Sequence, residues 1–394
     1  MKNKQPPKNG VGLLNSPQHR AILFQVIALI TVIACAFYFA NNMFHNIEKR
    51  GITTGFSFLD NIAGFGISQT LIAYDDGLST YLDVFIIGLL NTLLVSVLGI
   101  ILASALGLLI GVGRLSSNFL ISKLSLIYIE TFRNIPILLQ ILFWYNIVLA
   151  ALPSPRQSIN YFDSIFLNNR GLLLPEPIFE NGSMAIIISF IIAIVSVIYL
   201  VRWARKRHEA TGEEFPILKV SIAILILAPT LVYFLAGQPI TAEYPVLKGF
   251  NFKGGLSIIP ELLALLFALS IYTATYIAEA VRAGIESVPK GQKEAAKSLG
   301  LKDHVILSKV VLPQALRAII PPVINQFLNL AKNSSLATAI GYPELVTLFS
   351  GTTLNQVGQA IEIILMTMAV YLILSIAISL VLNLVNAKMA IKGR

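Results

Sequence analysis

Uncharged apolar stretches alternate with short polar ones along the whole chain. Asp, Glu, Lys and Arg are absent from residues 21–44, 84–113, 134–155, 181–201, 220–242 and 363–387. A helix of about 20 residues crosses roughly 30 Å of hydrocarbon, so each run predicts one transmembrane helix. Two shorter runs with charges at their ends, 262–278 and 318–331, bring the count to eight. The pattern predicts an all-α polytopic membrane protein.

Composition agrees: 56% of residues are hydrophobic and 12% charged, against about a quarter charged in soluble domains. The net charge of +9 would fit a nucleic-acid binder, but its distribution points elsewhere. With eight alternating spans, 22 of the 29 Lys and Arg fall on one side, six on the other, and Lys332 within the membrane region. That asymmetry is a topology signal and puts both termini in the cytoplasm. The largest basic group, Arg202, Arg205, Lys206, Arg207 and Lys219, reads as an orientation determinant at the lipid head groups. The single cysteine, Cys35, excludes an internal disulfide, and the four histidines show no ligand spacing. Val32-Ile33-Ala34-Cys35 is a faint lipoprotein-like match; the apolar run continues to Phe44, which favours an ordinary anchor.

Residues 1–19 read as a disordered head. The first span leads to an outer segment, 48–83, expected to hold short interfacial helices. Span two carries Gly99, Ala103, Ser104, Gly107 and Gly111. Small residues let helix backbones approach closely in lipid, so they predict tight packing more readily than a bare-backbone substrate path. Span three is expected to begin at Glu130-Thr131-Phe132-Arg133 and run to about residue 151. Spans four and five bracket the basic loop 202–219. The segments 152–182 and 237–255 read as outer loops.

The most informative polar stretch lies between spans six and seven. Pro289 suits a first helical turn, Gly300 a left-handed terminating residue, and Asp303 a cap for the next helix. Gly291, Glu294, Ala295 and Ala296 fall in the first short helix, whose two alanines predict a slim face able to enter a groove. Leu312 and Pro313 follow, with Pro313 interrupting the next helix or starting span seven. A solvated connecting loop is the plainer alternative.

These residues resemble the signature of the integral-membrane permease subunits of bacterial ABC importers: EAA, three residues, Gly, nine residues, Ile, any residue, Leu-Pro. Glu294-Ala295-Ala296, Gly300 and Leu312-Pro313 match, and Val310 replaces the Ile. Tyr276-Ile277-Ala278-Glu279-Ala280-Val281-Arg282-Ala283-Gly284-Ile285, Glu130-Thr131-Phe132-Arg133-Asn134-Ile135-Pro136 with Gln140, and Lys332-Asn333-Ser334-Ser335-Leu336 are similar to the polar amino-acid branch. The resemblance covers about residues 84–151 and 257–387. It implies a five-helix core in two parts, 84–151 and 257–394, the second holding a coupling loop at 287–313. To this core are added a cytoplasmic segment (1–20), an extra first span with its outer loop (21–83), and an insertion with two spans (152–256). That elongated layout resembles the first permease subunit of general L-amino-acid importers and of the glutamate/glutamine/aspartate/asparagine systems.

The resemblance further implies a location in the bacterial inner membrane and several partners. These are an ABC ATPase dimer gripping residues 294–300, a second and non-identical permease subunit, and a periplasmic amino-acid-binding protein. No phosphate loop of the form G-x-x-x-x-G-K-[ST] occurs in the chain, so ATP would be bound by the partner, with no cofactor, metal or catalytic residue here. No paired carboxylates or Ser/His/Asp array is recognisable.

Polar groups inside the membrane are functional candidates by default. Lys332, Asn333, Ser334 and Ser335 follow a short apolar run, and Asn325 and Asn329 share a helical face one or two turns earlier. They read as a translocation path or gate. In the structural alternative Lys332 pairs with Glu344 or Glu362, or lies at the outer interface. Glu130 and Arg133, three apart, can pair at the inner mouth, where they read as an inner-gate element or as a topology anchor; Glu279 and Arg282 repeat the arrangement. Two other classes stay open on the residues alone: a stand-alone ion-coupled transporter or channel, and a membrane scaffold, which would not need Lys332 at depth.

Overall fold

A computed structural model of the chain describes residues 17–51, 54–213 and 215–389. The first helix, α1 (Pro17–Arg50), opens on a proline, whose fixed φ suits a first turn. Residues 17–19, expected in the disordered head, therefore belong to a helix; the rest of that head lies outside the described residues.

The second helix, α2 (Tyr81–Arg114), starts at a capping box in which Thr80 N–H donates to Asp83 (2.8 Å) and Asp83 N–H to Thr80 Oγ1 (3.4 Å). α3 (Phe119–Asn134) is capped by Asn118, which accepts from the N–H groups of Leu120 and Ile121. Here the structure departs from expectation. The chain bends by 102° between α3 and the segment that follows, which comprises α4 (Ile137–Leu142) and a π-helical stretch, Phe143–Leu149. Pro136 disfavours helical geometry at Ile135, so Glu130 and Arg133 close α3 and do not open span three.

The segments 152–182 and 237–258, expected as outer loops up to residue 255, carry short strands. β1 (Ile159–Tyr161), β2 (Ile165–Asn168) and β3 (Gly171–Leu174) form consecutive antiparallel pairs. β4 (Glu176–Phe179) pairs with β5 (Ile240–Glu243), and β6 (Val246–Lys248) with β7 (Asn251–Lys253). β8 (Leu256–Ile258) completes the first sheet in the order β1-β2-β3-β8. Between these strands run α5 (Ser183–Thr211) and α6 (Ile217–Leu235), which pack against each other and leave most of their remaining surface uncovered.

β8 leads into α7 (Pro260–Glu286), the most buried span. α8 (Lys290–Ser298) and α9 (Asp303–Val305) follow, then a π-helical turn, Ile306–Val311, and α10 (Leu312–Asn333). A 3-10 segment (Ser334–Ile340), a second π stretch (Val346–Thr353), α11 (Leu354–Val357) and α12 (Ala360–Met389) finish the fold. Among the described residues seven helices are long and apolar enough to span a membrane, or eight if the bent α3–α4 pair counts as one.

The core is the seam of α2, α7 and α10. A Cβ at Gly107 would lie 2.6 Å from Ile277 Cβ, and one at Gly111 would lie 2.9 Å from Val281 Cβ. No larger residue fits, so the glycines of span two serve close helix packing.

Candidate functional site

The site begins where α7 stops. Ser287 N–H donates to the Ala283 carbonyl (2.9 Å), and its hydroxyl to that of Gly284 (2.7 Å). Val288 is buried, Pro289 precedes the first residue of α8, and Gly300 ends the turn at φ +74° with its N–H on the Lys297 carbonyl (2.9 Å). That φ needs glycine, as the sequence led one to expect. Gly291 has an open surrounding and an ordinary φ.

Two details differ from expectation. Neighbouring residues of a helix point about 100° apart, and Ala295 and Ala296 do not share a face. Ala296 is buried against the core that includes Val288, Ile306 and Val311, while Glu294 and Ala295 are exposed. The outward stripe is therefore Gly291, Glu294, Ala295 and Ser298, extended by Leu299, which is 79% exposed. An apolar side chain so open at the end of a polar helix is suited to a partner's groove, and the sequence reading passed over it. Asp303 does not cap the following helix; its carboxylate lies 3.6 Å from Lys297 Nζ across a hollow of about 370 Å³ between α8 and the turn Ile306–Val311.

Leu312 and Pro313 start α10 directly after that π-helical turn. Pro313 offers no N–H, and Gln314 donates its side-chain amide to the Val310 carbonyl (2.9 Å) at the same place. The loop is thus one packed unit joining α7 to α10.

The pairs expected at the inner mouth form. Arg133 meets Glu130 at 2.9 Å on α3. On α7 Arg282 binds both Glu279 and Glu286, and the charges of Arg133 and Arg114 also act on Glu279. The two pairs therefore belong to one charged cluster.

On α10, Asn325, Asn329 and Lys332 lie on one exposed face with Pro321 and Pro322. Such a face in an apolar span is suited to a cavity or a partner subunit and poorly suited to lipid. The group Lys332 to Ser335 does not stay together. Ser334 is fully buried with its hydroxyl on the Ala331 carbonyl, Ser335 bonds the Lys332 carbonyl, and Asn333 is half-buried. The helix turns Ser334 inward while Lys332 points out.

Neither carboxylate considered for Lys332 is its partner. Glu362 accepts the Gly55 N–H (2.6 Å). Glu344 is fully buried and accepts the N–H groups of Val346 (2.9 Å) and Thr347 (2.8 Å), with the Thr347 and Tyr371 hydroxyls at 3.0 Å. Among the described residues Lys332 makes no ion pair. Glu344 is a structural lock that sequence reasoning placed wrongly. The available signal was a Pro343-Glu344 pair just ahead of a helix, a capping arrangement. Asn91 fixes the same corner by donating to the Pro343 carbonyl (2.8 Å), and Leu345 N–H donates to Thr92 Oγ1 (3.1 Å).

The sequence profile described as "Binding-protein-dependent transport system inner membrane component" matches residues 215–391. The chain is 51% identical over 379 residues, 96% of each protein, to the putative amino-acid ABC transporter permease protein YhdX of Escherichia coli K12. It is 48% identical, over 98% of each chain, to the general L-amino acid transport system permease protein AapQ of Rhizobium johnstonii. A third relative, the glutamate/glutamine/aspartate/asparagine transport system permease protein BztB of Rhodobacter capsulatus, is 40% identical over 99% of each. Full-length likeness at these identities, on a fold with seven or eight spans and a packed loop at Glu294–Gly300, decides the matter. The chain is a multi-span inner-membrane protein and belongs to the binding-protein-dependent transport system inner membrane components, as an ABC transporter permease.

Proposed function

We propose that this permease forms half of the pore of an ATP-driven importer of L-amino acids, of general range or centred on Glu, Gln, Asp and Asn. Its partners are an ABC ATPase dimer, a second and non-identical permease, and a periplasmic amino-acid-binding protein. Both termini lie in the cytoplasm and ATP stays with the ATPase. The single observation behind this reading is α8: a short helix with an outward Glu294–Ala295 surface continued by Leu299, joined to α7 through Ser287–Pro289 and packed on the turn Ile306–Val311 that leads into α10.

The mechanism follows from that placement. A partner that closes on ATP and holds α8 moves the inner ends of α7 and α10 together, because Val288 and Ala296 are packed into the same core as Ile306 and Val311. Only differential contact with the two states shifts their balance. Conversion between inward- and outward-open spans is then driven at α8, while the Asn325–Asn329–Lys332 face lines the route.

The test is reconstitution of the whole complex with labelled amino acids. Glu294→Lys and Gly300→Asp should abolish uptake while ATP hydrolysis persists and membrane insertion is intact. Normal uptake by both variants overturns the coupling role. Uptake by the chain alone under an ion gradient would make it a stand-alone transporter.

A further inference from the structure

The α5–α6 hairpin has no part in the mechanism above, yet its cytoplasmic end is built like a ligand site. Arg202, Arg205 and Lys206 stand at i, i+3 and i+4, so their side chains neighbour one another. All three are exposed and none forms an ion pair among the described residues. Arg207 differs: it pairs with Glu213 at 2.7 Å and lies 5.4 Å from the Trp203 ring centroid.

The three free cations rim a hollow of about 710 Å³ floored by Ile198, Tyr199 and Trp203. Tyr199 and Trp203 also line a second hollow, about 670 Å³, that reaches Phe215 and Ile224 between the helices. Ile224 in turn borders an apolar trough of about 580 Å³ along α6, with Lys219 at its mouth. Charge that only sets orientation needs no such track. Glu209, on the rim beyond Lys206, repels an anion there and confines it to the membrane side.

We propose that this track holds one anionic phospholipid of the cytoplasmic leaflet. Its phosphate sits among Arg202, Arg205 and Lys206, and an acyl chain runs over Tyr199 and Trp203 toward Ile224. Cation clusters beside an apolar groove at this leaflet recognise anionic head groups, and aromatic rings with polar tips sit at head-group depth. The proposal rests on the cytoplasmic placement of the 202–219 loop but not on transport.

The chain has only two tryptophans, Trp144 and Trp203, so Trp144→Phe leaves Trp203 as the reporter. The full chain is placed in phosphatidylcholine nanodiscs doped with brominated phosphatidylglycerol or brominated phosphatidylcholine. Strong quenching at low fractions of the anionic lipid alone is expected. The triple change R202Q/R205Q/K206Q should weaken it on the order of a hundredfold, and Arg207→Gln should leave it unchanged. Labelling of Thr211→Cys in a Cys35→Ser background, in sealed membrane vesicles before extraction, verifies that the loop keeps its side. If the triple variant inverts, R202K/R205K, which keeps the charge, and Tyr199→Ala read the contact in its place. Equal quenching by both lipids overturns the proposal, as does displacement by millimolar inorganic phosphate, which marks a soluble-anion site.

Discussion

Gln140 reaches back across the break in span three and donates its side-chain amide to the Phe132 carbonyl at 2.8 Å, and to that of Ile135 at 3.0 Å. Phe132 is the residue that a helical N–H at position 136 would bond, and position 136 is a proline. One glutamine therefore satisfies the acceptors that the break leaves open. A buried carbonyl without a donor costs about 1–3 kcal/mol.

Gln140→Leu should accordingly lower the thermal midpoint of the detergent-solubilised chain, by about 1–3 kcal/mol of stability. The Gln140→Glu variant should be worse, because an ionised carboxylate offers no donor. Thermal unfolding followed by circular dichroism reads both. A midpoint equal to that of the parent in the leucine variant would show that the break needs no such staple.

The α2–α7 seam predicts sharp steric intolerance. A Cβ at Gly107 has no room beside Ile277 Cβ at 2.6 Å, and overpacking a tight core costs about 1–3 kcal/mol or more. Gly107→Val should reduce the amount of folded chain recovered from membranes, measured by size exclusion. Gly291→Ala, where nothing lies within 4 Å of the added carbon, should be neutral in the same assay. Equal yields of folded protein for the two would remove the packing role given to Gly107.

The spans were legible because their apolar runs carry the membrane's own length scale. The turns of the segment 287–313 were legible because Pro289 and Pro313 fix φ locally and Gly300, being glycine, takes a left-handed φ readily. The face on which Ala296 lies was not, since it depends on Val288, Ile306 and Val311 arriving from neighbouring segments. The bend at Pro136 was hidden for a related reason: an uncharged run reads as one helix whether it is straight or turns by 102°. The β-strands of the outer segments escaped because they are three or four residues long and pair across the α5–α6 hairpin, as β4 with β5 and β3 with β8. Such pairing at long sequence separation leaves little local trace.

Gly300 and Leu299 separate folding from coupling within the same loop. Gly300→Ala forces a Cβ into φ +74°, a strain of about 1–2 kcal/mol, and should loosen the end of α8. Leu299 is 79% exposed, so Leu299→Ser should leave the chain's own stability unchanged while weakening retention of the ATPase through affinity purification. A Leu299→Ser complex that holds its ATPase as firmly as the parent would take that residue out of the interface.

Lys332 and Ser334 offer the sharpest division between path and scaffold, because a step of two residues, about 200° of helical rotation, sends them opposite ways. Lys332 is exposed and without an ion pair among the described residues, whereas Ser334 is fully buried with its hydroxyl on the Ala331 carbonyl. Truncating the lysine removes no packing from the chain, so Lys332→Ala should keep the parental thermal midpoint within about 0.5 kcal/mol and alter uptake. Ser334→Leu inserts three extra carbons into a closed site and should destabilise by about 1–3 kcal/mol, losing uptake and stability together. Asn329→Leu, on the same open face as Lys332, should follow the lysine pattern. Measuring uptake rate and thermal midpoint side by side distinguishes the two classes. If Lys332→Ala and Asn329→Leu both transport at the parental rate, the open face of α10 is a contact between subunits and the substrate travels elsewhere.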